Sequence, residues 1–321
     1  MACSPEPSQP GQLLGLVGDR DGFSHIGGVK RLRQLLESEL QARGIRSRTV
    51  LAGERDQDSL RGLLVLGCSS PWAYGLVLWS RLSNPARPVV WIPCFHPPRF
   101  VRHRLRAWLA KLALRRLQFL GVEVCVLSWA ERKELATVRC SVISLPFRCE
   151  PLPPRVPGRE PPPPYALVFL GRPVAQKGWP KFLDLAERIG GRSLALVPCP
   201  PEGPIPPLLE VRVNATDEEV RRQLRRSRIL FLPADYESFG FAQAEALWQG
   251  CCVPVLGEWP LWIGSPELDW RHASPAELAI RIEALLNNEP QRRALVRRQQ
   301  QLWEHRSERR EAVLPRSIEM P

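Results

Sequence analysis

The sequence has no CxxC pair, no uninterrupted apolar run of about 18 residues and no repeat with a period of about 20–50 residues. Unpaired thiols argue against structural zinc, and no metal is expected. The missing apolar run argues against a transmembrane helix, and the missing period against a solenoid. The N-terminal MACSPEPSQPGQ lacks the charged and apolar parts of a signal peptide. A cytoplasmic protein is expected, free or held peripherally at the inner face of a membrane. The 9 cysteines, an odd number, sit mostly in apolar runs such as VLGC, WIPC and EVCV. They read as small buried hydrophobes in a reducing compartment.

What is present is ample for a core. Of 321 residues, 44% are hydrophobic and 24% charged. At about 100–200 residues per domain, the length fits two. There are 34 prolines, about twice the ordinary share of about 5%. Lys and Arg number 45 against 33 Asp and Glu, a net charge of +12. Such an excess favours anionic partners: nucleic acid, acidic lipid or phosphorylated ligands. The most basic stretches are Arg99–Arg116 and Arg292–Arg310.

Short apolar runs alternate with amphipathic ones. Strands are predicted at Leu13–Val17, Ser47–Ala52, Leu63–Gly67, Val89–Cys94, Glu123–Ser128 and Ser141–Leu145. Helices are predicted between them at Gly28–Ala42, Ala73–Leu82, Val101–Leu120 and Ala130–Thr137. This alternation implies βαβ units and a parallel sheet. Residues 151–164, PLPPRVPGREPPPP, form neither helix nor inner strand and read as a stiff linker. Beyond it, strands are predicted at Tyr165–Leu170, Leu194–Pro198, Leu209–Val213, Ile229–Pro233 and Cys252–Leu256. Helices are predicted at Lys181–Ile189, Thr216–Ser227, Phe239–Gln249 and from Ser274 to about Arg306. Thr216/Glu219 and Ser274/Glu277 are candidate capping boxes. The reading is an α/β chain: an N-terminal domain over 12–150, the linker, a C-terminal domain over 165–305 and a tail over 306–321.

Two motifs carry chemistry. In YESFGFAQAEALWQG, Glu237 and Glu245 flank the predicted start of a helix. A helix N-terminus offers unpaired N–H groups to phosphate, and Gly240 admits a ligand close to the backbone. Glu237 at the mouth can accept from sugar hydroxyls. Glu245, about 8–9 Å further along the axis, can accept from a ribose diol. The second motif, GRPVAQKG, places Arg172 and Lys177 on one loop between a strand and a helix. Two fixed cations there can stabilise a departing diphosphate in the transition state. Taken singly, a Glu pair at this spacing is also an ordinary amphipathic helix, and two cations an ordinary solvated loop.

With GRPVAQKG and ESFGFAQAEALWQGCCVPV about seventy residues apart, Tyr165–Leu256 resembles the donor domain of GT-B-fold, retaining nucleotide-sugar glycosyltransferases of the glycosyl transferases group 1 family. The resemblance implies two Rossmann-like domains facing a cleft. It implies diphosphate contacts from Arg172 and Lys177, a sugar contact from Glu237 and a ribose contact from Glu245. It also implies phosphate held by backbone around Gly171, Phe239, Gly240, Phe241 and Ala242. No cofactor is implied beyond the nucleoside diphosphate sugar donor, and transfer would be metal-independent. In the first half, the Gly27-Gly28 turn resembles a glycine loop facing the donor phosphates, with His25 nearby. His96 in FHPP resembles a family His near the reacting sugar. SLPFRCEP and GEWPLWIG depart from the family's usual turns, and the chain is short for the family.

In RFVRHRLRAWLAKLALRRLQFL, Leu105, Trp108, Leu109 and Leu112 share a helical face among Arg102, Arg106, Lys111, Arg115 and Arg116. Two readings stand: an ordinary core-facing helix with solvated arginines, or docking on an acidic membrane to reach a lipid-linked acceptor. Nucleic acid lacks the interleaved aromatics that would support it. The expected activity is glycosyl transfer to an acceptor hydroxyl on a glycan or lipid-linked acceptor. The alternatives are a same-fold epimerase or phosphorylase, and a non-catalytic protein that binds through its basic surface.

Overall fold

The computed structural model describes residues 13–18, 28–51, 60–67, 71–100, 104–143, 163–257 and 265–308. The first half runs β1 (Leu13–Val17), α1 (Gly28–Ala42), β2 (Arg46–Val50), β3 (Leu60–Leu66), α2 (Pro71–Ser83), β4 (Val89–Ile92), α3 (Arg104–Gln118), β5 (Glu123–Val126), α4 (Trp129–Glu134) and β6 (Cys140–Val142). The strands pair in parallel in the order β2-β1-β3-β4-β5-β6. Successive strand residues point to opposite faces, and the core divides accordingly. Leu64 and Leu66 join Leu32, Leu36 and Leu40 of α1 in one buried cluster. Leu63 and Val65 join Val77 of α2, Leu114 of α3 and Leu135 beside α4 in another. Hence α1 covers one face and α2, α3 and α4 the other. Right-handed crossovers impose this when strand order reverses beside β1.

The second half runs β7 (Tyr165–Leu170), α5 (Trp179–Ile189), β8 (Ser193–Val197), β9 (Leu209–Val213), α6 (Asp217–Arg225), β10 (Ser227–Leu230), α7 (Phe241–Trp248), α8 (Pro275–Asn287) and α9 (Glu289–Glu308). Its parallel order is β10-β7-β8-β9. Every residue of β7 is buried, as expected of a strand covered on both faces. The fold class is the expected one: α/β, with two parallel sheets wrapped by helices.

Four local expectations are corrected. Cys252–Leu256 forms no strand ladder; Cys252 and Val255 make isolated bridges to Ile229 and Asp269. Pro254 removes a ladder donor, and the Gln299 amide of α9 instead bonds the Val253 N–H (3.2 Å) and C=O (2.7 Å). The helix predicted from Phe239 begins at Phe241, because Gly240 adopts a left-handed φ of 88°. Thr216 caps α6 through the Glu219 N–H, but the Glu219 carboxylate turns to Arg212. The Ser274/Glu277 box forms as expected.

The fourth correction concerns α3. The face of Leu105, Trp108, Leu109 and Leu112 does not point to the core; all four are exposed. Ala110, Leu114 and Leu117 are buried instead. The helix carries two apolar stripes, and the one with smaller side chains lies against the sheet. The linker over 151–162, most of GEWPLWIG and the tail from 309 lie outside the described residues.

Candidate functional site

In the second sheet, strand order reverses at β7 and β10, so the segments following these strands flank a crevice. They are in backbone contact. Gly178 has φ 74°, and a Cβ there would lie 2.2 Å from the Pro233 carbonyl oxygen, so only glycine fits. This contact brings Lys177 to Glu237: Nζ donates to Oε1 at 2.5 Å, both side chains largely buried. The Phe239 ring packs tilted against Phe241 at 4.5 Å and meets Trp303 of α9 edge-on, which fixes the start of α7.

From the first half, β4 ends in Pro93-Cys94-Phe95-His96. Cys94 holds a left-handed φ of 47°, a strained conformation for a residue with a Cβ. His96 Nδ1 lies 3.0 Å from the Cys94 carbonyl oxygen. A carbonyl only accepts, so Nδ1 carries the proton and Nε2 is the acceptor of the neutral ring. Nε2 is buried and has no partner among the described residues. The ring meets Tyr236 edge-on at 5.6 Å. Burial, then the Lys177 charge, hold His96 below the usual 6.5; Glu237 pulls the other way and Arg172 adds to the lowering. His96, Lys177, Glu237 and Arg172 thus share one electrostatic neighbourhood built from both halves, with Arg172 exposed.

A second junction lies at the helix starts. Gly240 starts α7 without a side-chain cap of its own, and a helix N-terminus of this kind presents N–H groups that suit an anion. A Cβ on Gly28, the first residue of α1, would touch the Phe241 ring at 3.5 Å. The two helix N-termini therefore converge. One turn into each, Arg31 Nε donates to Glu245 Oε1 at 2.6 Å, while Arg31 Nη1 reaches Asp217 of α6 at 3.0 Å. Burial raises the Glu245 carboxyl above its usual range, and Arg31 opposes that rise.

Of the residues singled out in the sequence, Lys177, Glu237 and His96 meet directly or through Tyr236, and Gly28 meets Phe241. Gly171 and Arg172 lie on the same loop as Lys177. Ala242 and Glu245 lie in the first two turns of α7. Gly27 and His25 lie outside the described residues. Two residues were missed. Arg31 shows only as one more arginine, unless its place one turn past Gly27-Gly28 is weighed. Glu131 lies in the first turn of α4, and its carboxylate accepts from the Phe95 N–H (2.5 Å) and the Leu127 N–H (3.0 Å), tying down the His96 segment. Among the described residues, no group of three or more His, Cys, Asp and Glu is arranged to hold a metal.

No protein-family model and no curated protein matches the sequence. Solved structures do match the fold. The sucrose-phosphate synthase (tll1590) of Thermosynechococcus elongatus superposes with a TM-score of 0.65 at 15% identity, over 93% of this chain and 97% of that one. WaaG, a glycosyltransferase involved in lipopolysaccharide biosynthesis, gives 0.58 at 13% identity, over 91% and 95%. TarM gives 0.60 at 14% identity over 79% of this chain, which spans about half (54%) of TarM. The chain thus has the two-domain fold of these proteins, GT-B.

Proposed function

We propose that this protein is a glycosyltransferase that moves a sugar from a nucleoside diphosphate sugar to an acceptor hydroxyl. The observation that carries this reading is the convergence of a helix N-terminus begun by glycine, two cations on one loop and a buried carboxylate pair at the junction of two parallel sheets. The α7 amides would receive the diphosphate, with Arg172 and Lys177 neutralising the leaving group as charge builds. Releasing Lys177 to phosphate frees Glu237 for the transferred sugar. Glu245 would likewise exchange Arg31 for a ribose diol. His96 Nε2, an acceptor at neutral pH, suits a hydroxyl of the sugar or acceptor. Residues 12–150 would form the acceptor side and 165–305 the donor side.

The fold neighbours support this reading. A TarM variant is known in complex with UDP and GlcNAc-glycerol, and T4 phage BGT in complex with UDP and Mn2+. Retention of configuration follows from the motif resemblance, with cell-surface polysaccharide, glycolipid or another glycoconjugate as product. The cations of GRPVAQKG take the place of a resident metal in this scheme.

The test is nucleoside diphosphate release from a panel of nucleotide sugars beginning with UDP-glucose, with product analysis with and without acceptor. Wild type is expected to turn over at least one donor, unaffected by chelator, and Glu245→Ala to lose most of that activity. Unchanged turnover in Glu245→Ala would remove the ribose assignment. Product formed without any acceptor would favour an epimerase. Activity restored only by a divalent ion would overturn the metal-free scheme.

A further inference from the structure

We infer that the outer face of α3 is a docking surface for anionic lipid bilayers. Leu105 and Trp108 are 67% and 55% exposed, and Leu109 and Leu112 beside them are exposed too. Phe119, just past the helix, is 77% exposed. Leu112, Arg115, Arg116 and Phe119 line a surface pocket. Scattered exposed apolar residues are ordinary; a stripe of them along one helix is not.

Charge identifies the occupant. Residues 99–120 contain no Asp or Glu but six arginines, one lysine and one histidine. Arg104, Arg106, Arg115 and Arg116 are exposed. Arg99 and Lys111 are engaged by Glu134, through its carboxylate and its carbonyl, which anchors the helix to α4. An apolar stripe bearing a tryptophan and edged by arginines matches the interface of a bilayer with acidic headgroups. α2 and α4 lie on the same side of the sheet and expose Trp79, Leu82 and Trp129. The Arg81 guanidinium bonds the Leu120 carbonyl at 2.5 Å, fastening the end of α2 to the end of α3. This surface belongs to the α2–α4 side of the first sheet, whereas α1 on the opposite side meets Phe241 of α7.

The experiment is co-sedimentation of the full chain with phosphatidylcholine vesicles and with vesicles in which a third of the lipid is phosphatidylglycerol. Binding to the anionic vesicles alone, weakened by salt, is expected. At about 1 kcal/mol per basic residue near the surface, Arg115→Gln/Arg116→Gln should bind about 30-fold more weakly. Trp108→Ser/Leu109→Ser should also release the protein. Arg281→Gln/Arg297→Gln, which removes the same charge elsewhere, should bind like wild type. Melting temperatures show whether each variant is folded. Absence of wild-type binding, equal binding to both vesicles, or equal loss in the distant control would overturn the inference. No nucleotide enters the assay, so its outcome is independent of the transferase reading.

Discussion

Glu131 is fully buried, and its two carboxylate oxygens accept only backbone N–H groups in the bonds described. Burial pushes its pKa from 4.5 up to about 7, and the two N–H bonds offset only part of that. The folded protein therefore keeps a proton that the unfolded chain releases above 4.5. Its contribution to stability is intact at low pH and is lost as pH rises through that window. The shift corresponds to about 3 kcal/mol at most. Glu131→Gln imitates the protonated form, so its stability relative to wild type should rise by up to that amount from about pH 5 to about pH 8. Chemical denaturation at the two pH values measures it; a constant difference would mean that Glu131 is not protonated by burial. The sequence made Lys177, Glu237 and His96 visible because each sits in a short motif at a strand end. Glu131 and Arg31 were invisible because their partners are distant: Arg31 meets Glu245 across 214 positions, and no local pattern encodes that.

At the scale of elements, the two loops after β7 and β10 act as one piece because Gly178 lets their backbones touch. Gly178→Ala meets both an αL cost of about 1–2 kcal/mol and a Cβ placed 2.2 Å from the Pro233 oxygen. A fall in stability of at least about 2 kcal/mol is expected, read as a lowered melting temperature together with lost donor turnover. A variant as stable and active as wild type would show that the contact does not set the site. Most strands and helices were legible from apolar periodicity to within a few residues. The failures share a cause: a tertiary partner settled what local pattern left open. Gln299 replaced a strand partner at Val253, Gly240 delayed α7, and the sheet selected the alanine-bearing stripe of α3 over the bulkier one.

At the scale of the molecule, the alternation of strands and helices together with the proline-rich stretch announced two α/β halves. That the halves face a cleft was implied by the family resemblance; which side chains meet across it was not legible. His96 against Tyr236 and Arg31 against Glu245 are contacts between segments with no sequence relation. The central claim depends on them, since they bring the first half to the proposed diphosphate site of the second. Isothermal titration of UDP, GDP and ADP into wild type and into Arg172→Met/Lys177→Met tests it most directly. One of these nucleotides should bind wild type with a stoichiometry of one. The double variant should bind it at least about 10–100-fold more weakly, the worth of one charge-assisted hydrogen bond of about 1.5–3 kcal/mol. Binding of none of them to folded wild type, or equal binding to both proteins, would contradict a diphosphate held by this loop.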